Sequence, residues 1–77
     1  PLADLMKVTM ELAGKIARGP AIALALTKKL AYESFYETLE VHMDRESFAL
    51  VVAQGTEDFD EGVKSFMEKR EPVFKGR

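Results

Sequence analysis

The sequence predicts an all-α domain of about four helices. Apolar residues recur at helical spacing in four segments, and prolines, glycines and capping residues separate these segments. No segment alternates apolar and polar residues convincingly, so we expect no β-strand. The chain has 77 residues, of which 47% are hydrophobic. This length and composition suit one domain, residues 1–77, with a small core.

The first predicted helix covers residues 1–17, where apolar residues recur at near-helical spacing. The tripeptide Arg18-Gly19-Pro20 follows it. We expect Gly19 to end the helix in a left-handed C-cap conformation, and Pro20 to occupy the first position of the next helix.

The second predicted helix covers residues 20–32 and contains the run AIALAL, which is apolar on nearly every side. A helix of this kind is normally buried all round or meets a partner chain. A domain of 77 residues has little protein to surround it, so the run indicates a missing partner. Because the first residue is Pro1 rather than methionine, we also expect the chain to be part of a longer protein.

The third predicted helix covers residues 34–53. Ser34 followed three residues later by Glu37 is a capping-box pattern, which places the start of the helix at the serine. Its apolar stripe includes Leu50.

The fourth predicted helix begins after a cap at Thr56 or Asp58 and ends before Pro72, which cannot continue a helix. Lys69 and Arg70 stand near its end, where cations complement the helix dipole. One face carries the apolar residues Phe59, Val63, Phe66 and Met67.

Composition excludes several classes of protein. The net charge is −2, and the local Lys-Arg clusters do not amount to the basic surface of a nucleic-acid binder. The absence of cysteine excludes disulfides and thiolate metal sites. No apolar run reaches the roughly 20 residues that span a bilayer. We therefore expect a soluble protein of a reducing compartment, without nucleic-acid or membrane partners.

Polar clusters give no self-contained active site. Glu57, Asp58, Asp60 and Glu61 crowd the first turn of the fourth helix, where acidic residues normally act in capping rather than as a catalytic pair. His42 has no obvious orienting partner in the sequence, so we interpret it as a surface or satisfied residue. The sequence predicts no catalytic residue and no metal ligand.

Two further interpretations remain open. A phosphopantetheine carrier is also a small acidic helical domain, but neither Ser34 nor Ser47 matches the Asp-Ser-Leu attachment site of such carriers. The basic pairs Lys28-Lys29 and Lys69-Arg70 are suited to binding phosphates. From composition alone, a solvated face or a dipole-neutralising last turn explains these pairs better.

The order of the motifs is more specific than any motif alone. ELAGKIARGPAIALALTKKL is followed by an acidic third helix and then by GTEDFDEGVKSFMEKREPVFKGR. This order resembles the C-terminal end of the enoyl-CoA hydratase/isomerase (crotonase) family across essentially the whole chain. The matching residues are Ala17, Gly19, Pro20, Thr27, Lys28, Thr56, Asp58, Glu61, Gly62, Phe66, Lys69, Arg70, Pro72 and Phe74.

The resemblance implies a catalytic core outside these residues. Members of the family have an N-terminal core of β-β-α repeats that binds the acyl-CoA thioester, with two backbone N–H groups as an oxyanion hole and glutamates as acids and bases. Such donors stabilise the charge that develops on the thioester oxygen. The C-terminal helices cover the core and build trimers, which often pair into hexamers.

The resemblance also implies ligand contacts in trans, since the last helix lies near the CoA site of a neighbouring subunit. Phe66 matches a position that lines the acyl-tail pocket, and Lys69 matches one that reaches the adenosine-phosphate end of CoA. Leu50 matches a position at the acyl pocket. Gly62 is expected to permit close helix packing.

The predicted function is therefore that of the C-terminal trimerisation and lid domain of an enoyl-CoA hydratase/isomerase-family enzyme acting on 2-enoyl-CoA. Acyl-CoA is the expected, non-covalent ligand. The expected partners are the chain's own N-terminal core and neighbouring subunits, in the cytoplasm or in the mitochondrial matrix of a eukaryote. The isolated chain is expected to be inactive and can self-associate. An alternative from another class is a free-standing helical dimerisation or adaptor module without CoA chemistry.

Overall fold

A computed structural model describes the whole of residues 1–77. It contains four α-helices and no strand, which confirms the predicted fold class. None of the helices combines the length and apolar character that crossing a membrane requires. The helices are α1 (Leu2–Ala17), α2 (Ala21–Glu33), α3 (Leu39–Gln54) and α4 (Glu57–Met67).

The helices form an open arrangement. α2 packs against α3, and α3 contacts α4, whereas α1 packs along none of the other three. The radius of gyration is 15.5 Å, compared with about 11.5 Å for a globular domain of this length. The large apolar side chains of α1 are accordingly all exposed.

The chain has no hydrophobic core of its own. No hydrophobic side chain is buried, and the only two buried residues, Asp58 and Ser65, are polar. The accessible surface is 6592 Å², whereas a globular monomer of this mass exposes roughly 4,700 Å². The excess, about 1,900 Å² on this chain alone, is larger than the roughly 800 Å² that each partner of a standard protein–protein interface buries.

The turn between α1 and α2 differs from its prediction at Gly19. Arg18 is the C-cap of α1 in a right-handed conformation (φ −88°, ψ 0°), and Gly19 is not left-handed. A Cβ at residue 19 would lie 2.9 Å from Leu24 Cδ1 and 3.1 Å from the Ile16 carbonyl oxygen. Glycine is therefore favoured here by a close approach rather than by its dihedral angles. Pro20 is the N-cap of α2, one residue before the helix begins.

The prediction that α3 begins at Ser34 is wrong. Ser34 is the C-cap of α2, with its N–H donating to the Leu30 carbonyl and its hydroxyl donating to the Ala31 carbonyl at 2.6 Å. The N-cap of α3 is Thr38, whose Oγ1 accepts a hydrogen bond from the Val41 N–H at 3.3 Å. A serine hydroxyl can bond to the preceding turn as well as cap the following helix, so the pattern alone did not decide between them.

Thr56 joins α3 to α4 and is confirmed as the N-cap of the last helix. Its Oγ1 accepts a hydrogen bond from the Phe59 N–H at 3.1 Å, and its hydroxyl donates to the Ala53 carbonyl at 2.7 Å. After α4 ends at Met67, residues 71–77 run back along the helix without regular secondary structure. We call these seven residues the C-terminal strap.

The cap of α3 can be tested by comparing Thr38→Ala with Ser34→Ala in the full-length protein. Loss of the Thr38 cap is expected to destabilise the start of α3 by about 1 kcal/mol. Hydrogen exchange of the peptide that contains the Val41 amide should then speed up by roughly fivefold. Ser34→Ala should leave that exchange unchanged. The opposite ranking would restore Ser34 as the N-cap.

Candidate functional site

α4 is amphipathic, but the face that is covered is the polar one. Positions 58, 61, 62 and 65 share a face by helical spacing. This face contains both buried residues, Asp58 (3% exposed) and Ser65 (4% exposed). The C-terminal strap lies along it. The exposed apolar residues of α4 lie on a different face, and they are Phe59, Val63, Phe66 and Met67.

The Asp58 carboxylate binds the backbone of the strap. Its Oδ1 accepts a hydrogen bond from the Lys75 N–H at 2.7 Å, and its Oδ2 accepts one from the Gly76 N–H at 2.8 Å. The Asp58 N–H in turn donates to the Arg77 carbonyl at 2.9 Å. The first-turn carboxylates were expected to act as capping groups. The structure corrects this for Asp58, because Thr56 is the cap and Asp58 holds the strap.

Glu61 makes a second attachment. Its Oε2 accepts a hydrogen bond from the Val73 N–H at 2.8 Å, and the two carboxylate oxygens accept from the Arg70 guanidinium at 2.6 and 3.0 Å. The bond from Arg70, followed by that from the Val73 N–H, lowers the pKa of Glu61 to about 2. Arg70 also bonds to Glu68 at 3.1 Å. Its guanidinium is therefore engaged within the chain, in addition to the expected complement to the helix dipole, and is less available to a phosphate than that of an unpaired residue.

Gly62 lies under the aromatic ring of Phe74. A Cβ at residue 62 would stand 3.8 Å from Phe74 Cε1, which is an ordinary van der Waals distance. Gly62 was expected to permit the close approach of another helix. Within these 77 residues the group that packs on it is the strap.

The structure places Phe66 and Leu50 in adjoining grooves. Phe66 is 82% exposed and lines an apolar groove of about 400 Å³ between α4, the start of α2 and the strap. Leu50 lines a groove of about 470 Å³ between α2 and α3. Ala23 and Ala53 line both grooves, so the two surfaces are continuous. We call the first one the Phe66 groove, lined chiefly by Ala23, Ala53, Phe59, Val63, Phe66 and Phe74.

Lys69 occupies the left-handed position after α4, with φ 55°. Its N–H donates to the Phe66 carbonyl at 3.2 Å, and the Arg70 N–H donates to the Ser65 carbonyl at 3.0 Å. These two bonds form a Schellman motif, in which glycine is the usual left-handed residue. A side chain in this conformation costs about 1 kcal/mol. Unlike Arg70, Lys69 forms no ion pair, so it is the member of the basic pair that remains free for a ligand.

His42 has the orienting partners that sequence analysis did not find. Its Nδ1 lies 2.9 Å from Glu37 Oε1, and its Nε2 lies 3.1 Å from Glu46 Oε1. Glu37 also pairs with the Arg45 guanidinium at 2.8 Å. The hydrogen bond with Glu37, assisted by the one with Glu46, raises the pKa of His42. The cluster fastens the turn between α2 and α3. Glu37 lies just outside α3, so helical spacing could not have revealed its contact.

The two serines considered as attachment sites are bonded to their own helices. The Ser34 hydroxyl donates to the Ala31 carbonyl, and the Ser47 hydroxyl donates to the Met43 carbonyl at 3.1 Å. No group of three or more histidine, aspartate and glutamate side chains is arranged to hold a metal ion. The geometry thus offers a surface for binding, with an apolar groove and a free cation, rather than a catalytic constellation.

Comparison with known proteins identifies the family of this chain. A sequence model described as "Enoyl-CoA hydratase/isomerase" matches residues 1–77. The chain belongs to the enoyl-CoA hydratase/isomerase family. It corresponds to the C-terminal helical part of the family, which confirms the resemblance found in the sequence.

Individual relatives agree with the family match. A 2,3-dehydroadipyl-CoA hydratase of Escherichia coli (strain K12) is 33% identical over 72 residues, 94% of this chain and 28% of the relative. Enoyl-CoA hydratase ACTT3 of Alternaria alternata is 36% identical over 75 residues, 96% of this chain and 25% of the relative. A crystal structure from Geobacillus kaustophilus HTA426, described as "Enoyl-CoA hydrates", superposes with a TM-score of 0.91 at 30% identity, covering 100% of this chain and 29% of that one.

The chain thus spans between 25% and 29% of the length of these relatives. The family's fold in this region is established by both sequence and structure.

The His42 cluster predicts a pH dependence. Because the pKa of His42 is raised above its ordinary value of 6.5, its pairing stabilises the protein fully below pH 6.5. This contribution is lost as the pH rises through the folded-state pKa. The difference in Tm between the full-length wild type and its His42→Gln variant should therefore shrink as the pH is raised from 6 to 8. A difference that grows with pH would contradict this assignment.

Proposed function

We propose that this chain is the C-terminal helical domain of a longer enzyme that hydrates 2-enoyl-CoA. In that enzyme it joins subunits into a trimer or hexamer and completes the acyl-CoA pocket. The observation that carries the proposal is the pairing of an open apolar groove, which displays Phe66, with an unpaired cation, Lys69, three residues further along the chain.

The exposed apolar surface supports the oligomeric part of the proposal. No hydrophobic residue of the chain is buried, and the large apolar side chains of α1 are all exposed. Burial of apolar surface is the main favourable term in folding and association. The chain's own N-terminal core and neighbouring subunits are the surfaces that we propose to cover these faces.

The chemistry of the groove supports the acyl-CoA part. The ligand combines an apolar acyl chain with phosphate groups at its adenosine end. An apolar groove that displays Phe66 and adjoins Leu50 suits the acyl chain, and a lysine free of internal ion pairs suits a phosphate. We propose that the ligand binds without a covalent link and reaches Leu50, Phe66 and Lys69 from the active site of a neighbouring subunit.

Catalysis in this proposal belongs to groups outside these residues. Asp58 and Glu61 are committed to the strap, and Glu37 and Glu46 are committed to His42. None of these carboxylates is free to exchange protons with a substrate. The proposed setting is the cytoplasm, or the mitochondrial matrix in a eukaryote, where acyl-CoA is available.

The experiment that tests the proposal is hydration of crotonyl-CoA by the full-length protein, followed by loss of the absorbance of the enoyl thioester. Rapid hydration by the full-length protein, with none by residues 1–77 alone, is the expected result. Hydration by the isolated chain would overturn the assignment of catalysis to the missing core. A full-length protein that neither binds CoA nor hydrates crotonyl-CoA would favour the helical dimerisation module instead.

The proposed contact between Lys69 and acyl-CoA can be tested by two substitutions in the full-length protein, which differ chiefly in their effect on the backbone. Lys69→Ala and Lys69→Gly both remove the ammonium group, so both should raise the KM for acyl-CoA with little change in kcat. The expected rise is roughly tenfold, equivalent to about 1.4 kcal/mol, since a hydrogen bond to a charged group is lost. Only glycine relieves the left-handed backbone, so Lys69→Gly should have the higher Tm of the two.

Lys7→Ala on α1 is the matched control for the loss of one positive charge, because Lys7 is exposed and remote from α4. Its KM for acyl-CoA should equal that of the wild type. If the KM of both Lys69 variants also stays at the wild-type value, Lys69 is not a ligand contact.

A further inference from the structure

We propose that Phe74 is a specificity-determining residue of the Phe66 groove and that Asp58 is the residue that positions it. The inference rests on the proposed function, since the ligand concerned is the acyl chain of a 2-enoyl thioester. It adds to that function a wall of the pocket that is built by the strap rather than by a helix.

The ring of Phe74 is a shared element of strap and groove. On one side it lies against α4 at Gly62, where a Cβ would be 3.8 Å from Cε1. It also lines the groove in which Phe66 is displayed. Phe74 is half-buried, unlike Phe66, because other residues of the chain already cover much of its side chain. The ring therefore forms part of the wall of this apolar groove.

The backbone on both sides of Phe74 is tied to α4. The preceding residue, Val73, donates its N–H to Glu61 Oε2 at 2.8 Å. The following residue, Lys75, donates its N–H to Asp58 Oδ1 at 2.7 Å, and the Gly76 N–H donates to Oδ2 at 2.8 Å. The Cα of Phe74 therefore cannot move away from the groove unless at least one of these bonds breaks.

Asp58 accepts two of the three hydrogen bonds that hold the backbone around Phe74 against α4. It holds two successive amides with its two oxygens, and it is nearly fully buried, so water competes poorly for them. In Asp58→Asn one oxygen becomes an NH₂ donor and faces a strap N–H, which is also a donor. That substitution keeps the shape of the side chain but removes one of the two bonds.

The measurement is the ratio of kcat/KM for a long-chain 2-enoyl-CoA to that for crotonyl-CoA, made on the full-length protein. Phe74→Ala removes this part of the wall and enlarges the groove, so this ratio should rise roughly tenfold, the lower end of the discrimination that an apolar pocket achieves per methylene. Phe74→Leu should raise it less, and keeps the test available if the alanine variant folds poorly. Phe66→Ala reports independently whether the groove receives the acyl chain.

A double-mutant cycle separates positioning from general stability. If Asp58 acts through Phe74, Asp58→Asn should raise the ratio alone but add nothing when Phe74 is already alanine. Hydrogen exchange of the peptide that contains Lys75 and Gly76 should also be faster in Asp58→Asn. Asp60→Asn is the matched control, because it removes the same charge from the same helical turn at an exposed residue that does not bind the strap.

The outcomes distinguish this inference from the proposed function. A ratio that shifts with Phe66→Ala but not with either Phe74 variant would overturn the inference and leave the pocket standing. Additive effects of Asp58→Asn and Phe74→Ala would overturn the positioning role of Asp58. A wild-type protein that turns over no 2-enoyl-CoA would overturn the proposed function, and the inference with it.

Discussion

The hydrogen bonds from the strap amides to the buried Asp58 carboxylate fix the C-terminal part of the structure. A buried carboxylate is stable only when its oxygens are bonded, and the strap is what supplies the donors. With the strap held there, Glu61 accepts a hydrogen bond from the Val73 N–H of the strap, and the ring of Phe74 lies on Gly62. The capped end of α4 then presents Lys69 to the outside.

This attachment explains why the polar face of α4 is covered and its apolar face is exposed. The strap contacts α4 through its backbone N–H groups. The face of α4 that it covers therefore needs hydrogen-bond acceptors and small residues rather than large apolar side chains. The large apolar side chains of α4 are thereby left exposed on a separate face, and those of α1 are exposed as well. Local hydrogen bonds and caps define the conformation of this chain, whereas most of the apolar burial that stabilises a fold has to come from contacts with other surfaces.

Sequence reasoning succeeded where the signal was local. Helical spacing of apolar residues gave the number and order of the helices. Thr56 was one of the two predicted caps of α4, because a hydroxyl before the helix can bond within the next turn. It failed at Ser34, where two local bonds compete, and at Gly19, where the constraint comes from the approach of Leu24. The role of Asp58 was missed because its partners are 17 and 18 residues away in the chain.

The sequence by itself determined the helices, most of their boundaries and membership of the enoyl-CoA hydratase/isomerase family, since periodicity, caps and motif order are all properties of neighbouring residues. It also gave the three candidate ligand contacts, through the family resemblance. Only the tertiary structure decided which face of α4 is covered, which of Lys69 and Arg70 remains free of ion pairs, and that the ring of Phe74 lines the Phe66 groove. Each of these depends on where the strap folds back, and hydrogen bonds between segments distant in sequence leave no periodic pattern by which to recognise them.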